Sequence, residues 1–386
     1  MDINRIKRIM DSCIERHEEN CAAVVVTRGG SEALSYSCGK ADIQKDIEMR
    51  PGTICRGFSC SKISTSVACM MLIERGLLDI DFKLESIIPE FANPVYIKNG
   101  EAIPSRSIKI RDLLNMTSGI PYPGCENEGI EKTNELWGKL DESIRSGHSM
   151  TTLEFAAAAG GCPLMFESGE TWMYGASADI LGAVIEKVSG QRLGSFMEEN
   201  VFTPLEMNDT AFYVPENKQD RLAALYTCSG DNPQLFTDHN LCIYDVSEAP
   251  AFESGGAGLF TTARDYAKLG AMLSCLGEYK GRRILGSRTV EFMSSNGLTN
   301  GQKQTYNWDS VRGHGYANLL RIVEDRNESG LLANKGAFGW DGWTGTYLLC
   351  DAKEKLSITL FLQRCGASTT QLARNLVNAV YSMLDI

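Results

Sequence analysis

The chain contains no Cys-x-x-Cys pair, no His-Glu-x-x-His and no Gly-x-Ser-x-Gly. The first absence removes local support for a zinc ribbon or a thioredoxin-like redox site. The second removes the helical signature of zinc hydrolases. The third removes the nucleophile elbow of the α/β-hydrolases; Gly57-Phe-Ser-Cys-Ser61 comes near it and fails at the fifth position. Histidine is scarce, with only His17, His148, His239 and His314, and a Ser-His-Asp triad needs one of them buried and oriented. Positive charge is not in excess: the formal net charge is -11. That argues against a nucleic-acid polyanion or an acidic membrane as the main partner, because both require a basic surface. The longest apolar runs are about seven residues, well short of the roughly 20 that span a bilayer. Residues 1–20 lack the continuous apolar stretch of a signal peptide. They read as an amphipathic helix with Ile3, Ile6, Ile9 or Met10, and Cys13 on one face. No linker, repeat or low-complexity segment divides the chain.

What is present is an ordinary globular composition, 43% hydrophobic and 23% charged over 386 residues. Length alone would allow two or three domains. Thirteen cysteines are scattered along it, many inside apolar runs such as Val67-Ala-Cys-Met-Met-Leu-Ile73. Thiols in such runs behave as small core residues. Their number suits a reducing cytoplasm better than a compartment that would mispair them.

Ala22–Thr27 and Leu34–Cys38 read as strands of a hairpin around Arg28-Gly29-Gly30. A helix runs from about Ser59 to Glu74, stopped by Gly76. Helices follow at 151–160 and 177–200, the second with a stop at Gly190, and again at Thr262–Leu276. The stretch 205–255 is irregular. Strands return at about 315–323, 343–350 and 356–363, before a last helix at about 369–384. Strands at both ends around a helical middle predict an α+β fold, an α/β sandwich. One antiparallel sheet is built from both termini and flanked by helices, with a mainly helical lobe inserted. The expected division of this single catalytic domain, 1–386, is a sheet lobe of about 1–60 and 300–386 and a helical lobe of about 61–299.

A serine without a histidine can be activated by a lysine one helical turn later, since residues i and i+3 share a helix face. The amine must be neutral to take the hydroxyl proton, and a desolvated pocket lowers its pKa toward that state. Two Ser-x-x-Lys matches occur. Ser37-Cys-Gly-Lys40 sits at a strand end, where the two side chains do not share a face. Ser59-Cys-Ser-Lys62 opens a predicted helix, whose free N–H groups also suit an oxyanion. By itself the pattern also fits a helix cap followed by a solvated lysine.

The text around it resembles the serine β-lactamase and penicillin-binding superfamily, and most of all its class C-like carboxylesterases. Thr53–Lys62 is similar to the nucleophile block. Leu72–Asp79, Pro89–Phe91, Ile110–Gly119, Phe166–Glu170, Tyr174, Asp179–Gly182, Pro204–Thr210 and Gly255–Ala263 follow in family order. The resemblance implies a β-lactamase/transpeptidase-like fold and a Ser59 acyl-enzyme, with Lys62 as base and Tyr174 as the tyrosine of the Tyr-x-Asn element. A phenol there relays a proton if nearby cations favour its phenolate. The asparagine of that element is absent, and Ala176 takes its place. Tyr316-Ala-Asn318 spells the motif but lies on a late strand, out of order. The Lys-Thr-Gly or His-x-Gly triplet is replaced by Trp340-Asp341-Gly342. The main-chain N–H groups of Ser59 and Trp343 would form the oxyanion hole. Gly342 would leave room for substrate, and Trp340, Trp343 and Trp172 would offer it an apolar wall.

The expected activity is therefore hydrolysis or transfer of ester or amide acyl groups on a small-molecule or peptide-like substrate. No metal or organic cofactor is implied. Two other readings compete: a β-lactamase or D-amino-acid peptidase, and a non-catalytic ligand-binding protein on the same fold. Specificity loops are expected around 120–150 and 215–250. The missing asparagine and lysine predict turnover of short-chain aryl esters with little or none of a chromogenic cephalosporin, assayed side by side. Rapid cephalosporin turnover without ester hydrolysis would reverse that assignment.

Overall fold

The segment Cys21–Arg28 (β1) is apolar at every position but its last two, a pattern that suits a strand covered on both faces. The computed structural model, which describes residues 2–125, 128–228 and 232–384, shows both covers. Cys21, Ala23 and Val25 join the larger core, while Ala22, Val24 and Val26 join a second core on the opposite face.

The sheet's other strands are β2 (Ser31–Asp42), β3 (Ile47–Glu48), β4 (His314–Ala317), β5 (Leu320–Val323), β6 (Phe338–Asp341), β7 (Tyr347–Asp351) and β8 (Leu356–Phe361). Their spatial order is β4-β5-β6-β7-β8-β1-β2-β3, antiparallel throughout. The pairing of β1 with β8 joins the two ends of the chain, with Val25 opposite Thr359.

The longer helices are α1 (Ile3–Glu15), α2 (Ser61–Glu74), α3 (Ile130–Arg145), α4 (Thr152–Ala159), α5 (Ser177–Ser189), α6 (Ala263–Ser274) and α7 (Gln371–Tyr381). Helices α1 and α7 cover the outer face. They bury Ile6, Met10 and Cys13 beside Leu372, Leu376 and Val380, against Val24, Ile358 and Leu360. Ile3, expected on the buried face of α1, remains exposed.

The inner face carries α6, which packs on β8, β1 and β7. Gly270 permits that approach, because a methyl group there would lie 2.7 Å from Ser357 Oγ. This helix falls within the range expected for the helical lobe, yet it lies against the sheet. Helix α2 shows no amphipathic division: every residue from Ser61 to Leu72 is buried, so it runs through the interior between the sheet and α5.

Three expectations shift. The strand expected at about 315–323 is a tight hairpin of β4 and β5. Asn318 and Leu319 both adopt positive φ, 52° and 63°, the geometry of a two-residue hairpin turn. The strand expected at about 343–350 begins only at Tyr347. Residues 342–346 are spent on a turn, closed by the Gly342 N–H on the Thr346 carbonyl at 2.7 Å. The specificity loop expected around 120–150 holds α3, and its residues 126 and 127, like 229–231 of the second loop, lie outside the described residues. All thirteen cysteines are free, seven of them buried. Among the described residues, no helix is long and apolar enough to cross a membrane.

Leu376 is fully buried where α7 meets the sheet. Leu376→Ala is expected to cost about 2–5 kcal/mol, read as a lower denaturant midpoint at unchanged slope.

Candidate active site

Strand residues Ile54–Arg56 pair with Phe260–Thr262, and the chain then turns sharply into α2. The Gly57 N–H bonds the Leu259 carbonyl at 2.8 Å. Phe58 next adopts φ 41°, a conformation that strains an aromatic residue. Its buried ring packs edge-on against Trp343, centroids 5.0 Å apart. This strained corner presents Ser59, half-buried, in a single 3-10 turn ahead of α2.

Lys62, one turn on, is 0% exposed. Its Nζ lies 3.2 Å from Ser59 Oγ, 3.1 Å from the Tyr122 hydroxyl and 2.8 Å from the Gly256 carbonyl oxygen. It also sits over the Tyr174 ring, 4.6 Å from the centroid. Burial pushes the amine down to about 8, with Asp179 pulling it back up. An amine at that value can exchange a proton near neutral pH.

Tyr174 reaches the same point from the loop before α5. Its hydroxyl interacts with Ser59 and accepts from Trp340 Nε1 at 3.1 Å. An indole only donates, so the phenol oxygen is the acceptor in that contact. Burial pushes this phenol well above its ordinary range, against the pull of Ser59 and Trp340. That direction favours the neutral phenol over the phenolate.

Trp340 and Trp172 are placed differently from the expected substrate wall. Trp340, on β6, is 2% exposed. Its ring stacks on Tyr174 at 5.6 Å, meets Tyr316 edge-on and lies under the Arg321 guanidinium. Trp172 is equally buried, between Tyr306, Tyr316 and Trp308. Both support Tyr174 from behind. Asp341 is paired with Arg321 at 3.4 Å and with Thr369. Gly342 leaves room for protein rather than substrate: a methyl group there would strike Thr346 Oγ1 and the Gly57 carbonyl. That close approach seats the β6–β7 turn on the corner that presents Ser59. Ala176 is buried at the start of α5, its carbonyl bonded by the Asp179 and Ile180 N–H groups. Tyr316 is a buried strand residue on β4.

Trp343 remains half-buried at the site's edge, with Phe236 packed on its outer face at 5.6 Å. The Ala367 N–H fixes its carbonyl at 3.0 Å. The N–H groups of Trp343 and Ser59 have no protein acceptor among the described residues, the state an oxyanion hole requires.

Two further residues beside Lys62 were given no role by the sequence, although Asp179 falls in a segment that follows family order. Tyr122, between Pro121 and Pro123, meets Lys62 from a loop that carries no catalytic motif. Asp179, buried on α5, holds the Ser254 hydroxyl and the Gly256 N–H with Oδ1. The available signal was the Gly255-Gly256 doublet. A methyl group at Gly255 would strike the Ala178 carbonyl, and one at Gly256 would crowd Tyr122 and Asp179.

Other reactive groups are spoken for. Cys60, beside the nucleophile, is buried and its thiol is pushed up to about 12 by desolvation, so it is inert. Asp141, His239 and Cys242 bring ligand atoms within 4.8 Å of one another. However, His239 already uses Nδ1 on the Cys242 N–H and Nε2 on Asp141. His314 is buried and held neutral, its pKa lowered by burial to about 4.

Residues 6–381 match the family model described as Beta-lactamase. Esterase EstB of Burkholderia gladioli is 25% identical over 373 residues, covering 92% of this chain and 89% of that protein. A Mycobacterium tuberculosis protein is 28% identical over 339 residues, covering 85% and 81%. Among solved structures, EstCE1, described as a hydrolase with promiscuous acyltransferase activity, superposes with a TM-score of 0.80 at 23% identity over 98% of both chains.

A fluorophosphonate is expected to label Ser59, at a rate that rises with pH through a midpoint near 8 as Lys62 loses its proton. Mass spectrometry of the labelled peptide against pH checks both site and midpoint. Label on another residue, or a flat profile, would contradict the arrangement.

Proposed function

The chain belongs to the β-lactamase family, and from that premise we propose that it is a serine hydrolase of esters working through a Ser59 acyl-enzyme. The observation that carries this reading is the 3.2 Å contact between Lys62 Nζ and Ser59 Oγ, with the Tyr174 hydroxyl beside the same oxygen.

Once Lys62 has lost its proton, Trp340 donates to Tyr174, Tyr174 stands beside Ser59, and Ser59 donates to the neutral amine. Substrate then places its carbonyl oxygen on the Ser59 and Trp343 N–H groups. The Ser59 proton moves to Lys62 as Oγ bonds the acyl carbon and the carbonyl electron pair shifts onto oxygen. On collapse the bond to the leaving alcohol breaks. The departing oxygen takes the Tyr174 proton, which the Lys62 ammonium replenishes. Water next attacks the acyl carbon and gives a proton to Lys62, and Ser59 leaves with a proton restored. An alcohol in place of that water yields acyl transfer.

Neutral, apolar esters fit best. The cations packed near the site are engaged, Arg56 with Asp245 and Arg321 with Asp341. No lysine occupies the first position of the triplet to receive a substrate carboxylate. The accessible rim is aromatic: Trp343 and Phe236 on one side, and Trp308, 44% exposed and 5.5 Å from Tyr174, on the other. A bulky acyl or alcohol group would cover this surface.

Ser59→Ala is expected to abolish hydrolysis of p-nitrophenyl esters while the protein still melts as wild type. Trp308→Ala is expected to raise KM for long-chain or aromatic esters about tenfold, the worth of ~1.4 kcal/mol of lost apolar contact. The acetate ester should change little. Ester turnover that persists in Ser59→Ala would refute the nucleophile. Equal KM changes for small and large esters would refute the rim.

A further inference from the structure

Beneath Lys62 lies a carboxylate that touches neither the nucleophile nor the substrate cleft. The geometry points to Asp179 as the positioning residue that keeps the Lys62 lone pair on Ser59, acting through Tyr122 and the Gly256 carbonyl. This rests on the reading of Ser59 as nucleophile and Lys62 as base.

A neutral amine has two N–H bonds and one lone pair. Lys62 has three oxygen neighbours: Ser59 Oγ, Tyr122 Oη and the Gly256 carbonyl. The carbonyl only accepts, so it fixes one N–H. The phenol is ambiguous, because a hydroxyl both donates and accepts. If Tyr122 accepts the second N–H, the lone pair is left for Ser59. If Tyr122 donates, its proton occupies the lone pair, an N–H faces Ser59 instead, and the base is blocked.

The choice depends on where the Tyr122 proton goes. Asp179 Oδ2 is buried with no group at close hydrogen-bond distance among the described residues, while the carboxylate interacts with the Tyr122 hydroxyl. It faces the phenol: a methyl group at Gly256 would lie 2.6 Å from Tyr122 Oη and 2.7 Å from Asp179 Oδ2. Asp179 Oδ1 is already filled by the Ser254 hydroxyl and the Gly256 N–H, so Oδ2 is the acceptor left for the phenol. Through the same Gly256 N–H the carboxylate also secures the turn that delivers the Gly256 carbonyl to Lys62. One buried anion thereby directs both acceptors.

The charged and titratable groups around this assembly come from several elements. Lys62 meets Tyr122 and the Tyr174 ring, and feels Asp179, Cys60 and Asp341. Tyr122 meets Asp179, Tyr174 and Tyr316. Asp341 is neutralised by Arg321, which leaves Asp179 as the carboxylate that governs Lys62. Burial pushes the Asp179 carboxyl up, and Lys62, Ser254, the Gly256 N–H and Tyr122 pull it back down.

Asp179→Asn supplies an amide whose oxygen still serves Ser254 and Gly256 but whose NH2 faces Tyr122. The phenol proton is then turned toward Lys62. With p-nitrophenyl acetate, kcat is expected to fall about a hundredfold or more, with KM within about threefold. The acid limb of the pH profile should move below that of wild type, because the anion favouring the ammonium is gone. Tyr122→Phe removes the acceptor itself, so it should also lose kcat and lower the limb, and it carries the test if Asp179→Asn does not fold. Loss of packing alone would lower the melting temperature without moving the limb. If wild type turns over through Ser59 while the folded variants keep its limb and its kcat within about threefold, the role given to Asp179 is overturned. If Ser59→Ala is as active as wild type, the nucleophile assignment itself has failed.

Discussion

A primary amine buried without exposure is the constraint that organises this molecule. Desolvation disfavours its charge, which brings Lys62 to about 8. Burial also obliges the interior to satisfy its N–H groups, since an unpartnered buried polar group is costly. Ser59 meets that demand from one turn away, and Tyr122 and Gly256 from distant parts of the chain. Helix α2 can carry the amine inside only because the sheet and α5 enclose it from opposite sides. The same enclosure explains why its residues from 61 to 72 are all buried and include small polar ones such as Ser61, Ser64 and Ser66. Ser61 shows their use: its hydroxyl accepts the Leu259 N–H at 3.0 Å and ties the helix start to the strand that braces Gly57.

The second dependency is aromatic. At the position where the resembled family carries a lysine or histidine, Trp340 provides one neutral N–H and aims it at Tyr174. The indole carries no charge to offer a substrate carboxylate, and its one N–H is already taken. It can fix the direction of a phenol's proton, and its stacking holds the ring in place. The position therefore contacts Tyr174 rather than opening onto solvent. This support has a cost: the buried polar atoms Trp172 Nε1, Tyr306 Oη and Tyr316 Oη around it have no hydrogen-bond partner among the described residues. The cluster is kept by ring packing more than by polar pairing.

Much of the fold was legible because its signals are local. The apolar run of β1, the Gly190 stop of α5, with φ 72°, and the strand texture at both ends each follow from neighbouring residues. The pair Ser59 and Lys62 was legible for the same reason, since a helical spacing of three brings them together. Boundaries failed where tertiary demands overrode local preference. Asn318 and Leu319 turn the chain in mid-run, and residues 342–346 form a turn because Gly342 must lie against Gly57. Tyr122 and Asp179 carried no legible role, since they meet Lys62 only through long-range packing.

The sequence by itself determined the family, the antiparallel sheet from both termini and the serine–lysine pair, because periodicity, order of motifs and helical spacing are properties of neighbouring residues. Only the tertiary structure decided which aromatic residues are core and which line the rim. It also decided which donor faces the Tyr174 oxygen and which carboxylate stands behind the lysine. Those outcomes depend on what is excluded from water and on which donor faces which acceptor, and neither is defined until segments far apart in the chain have packed together.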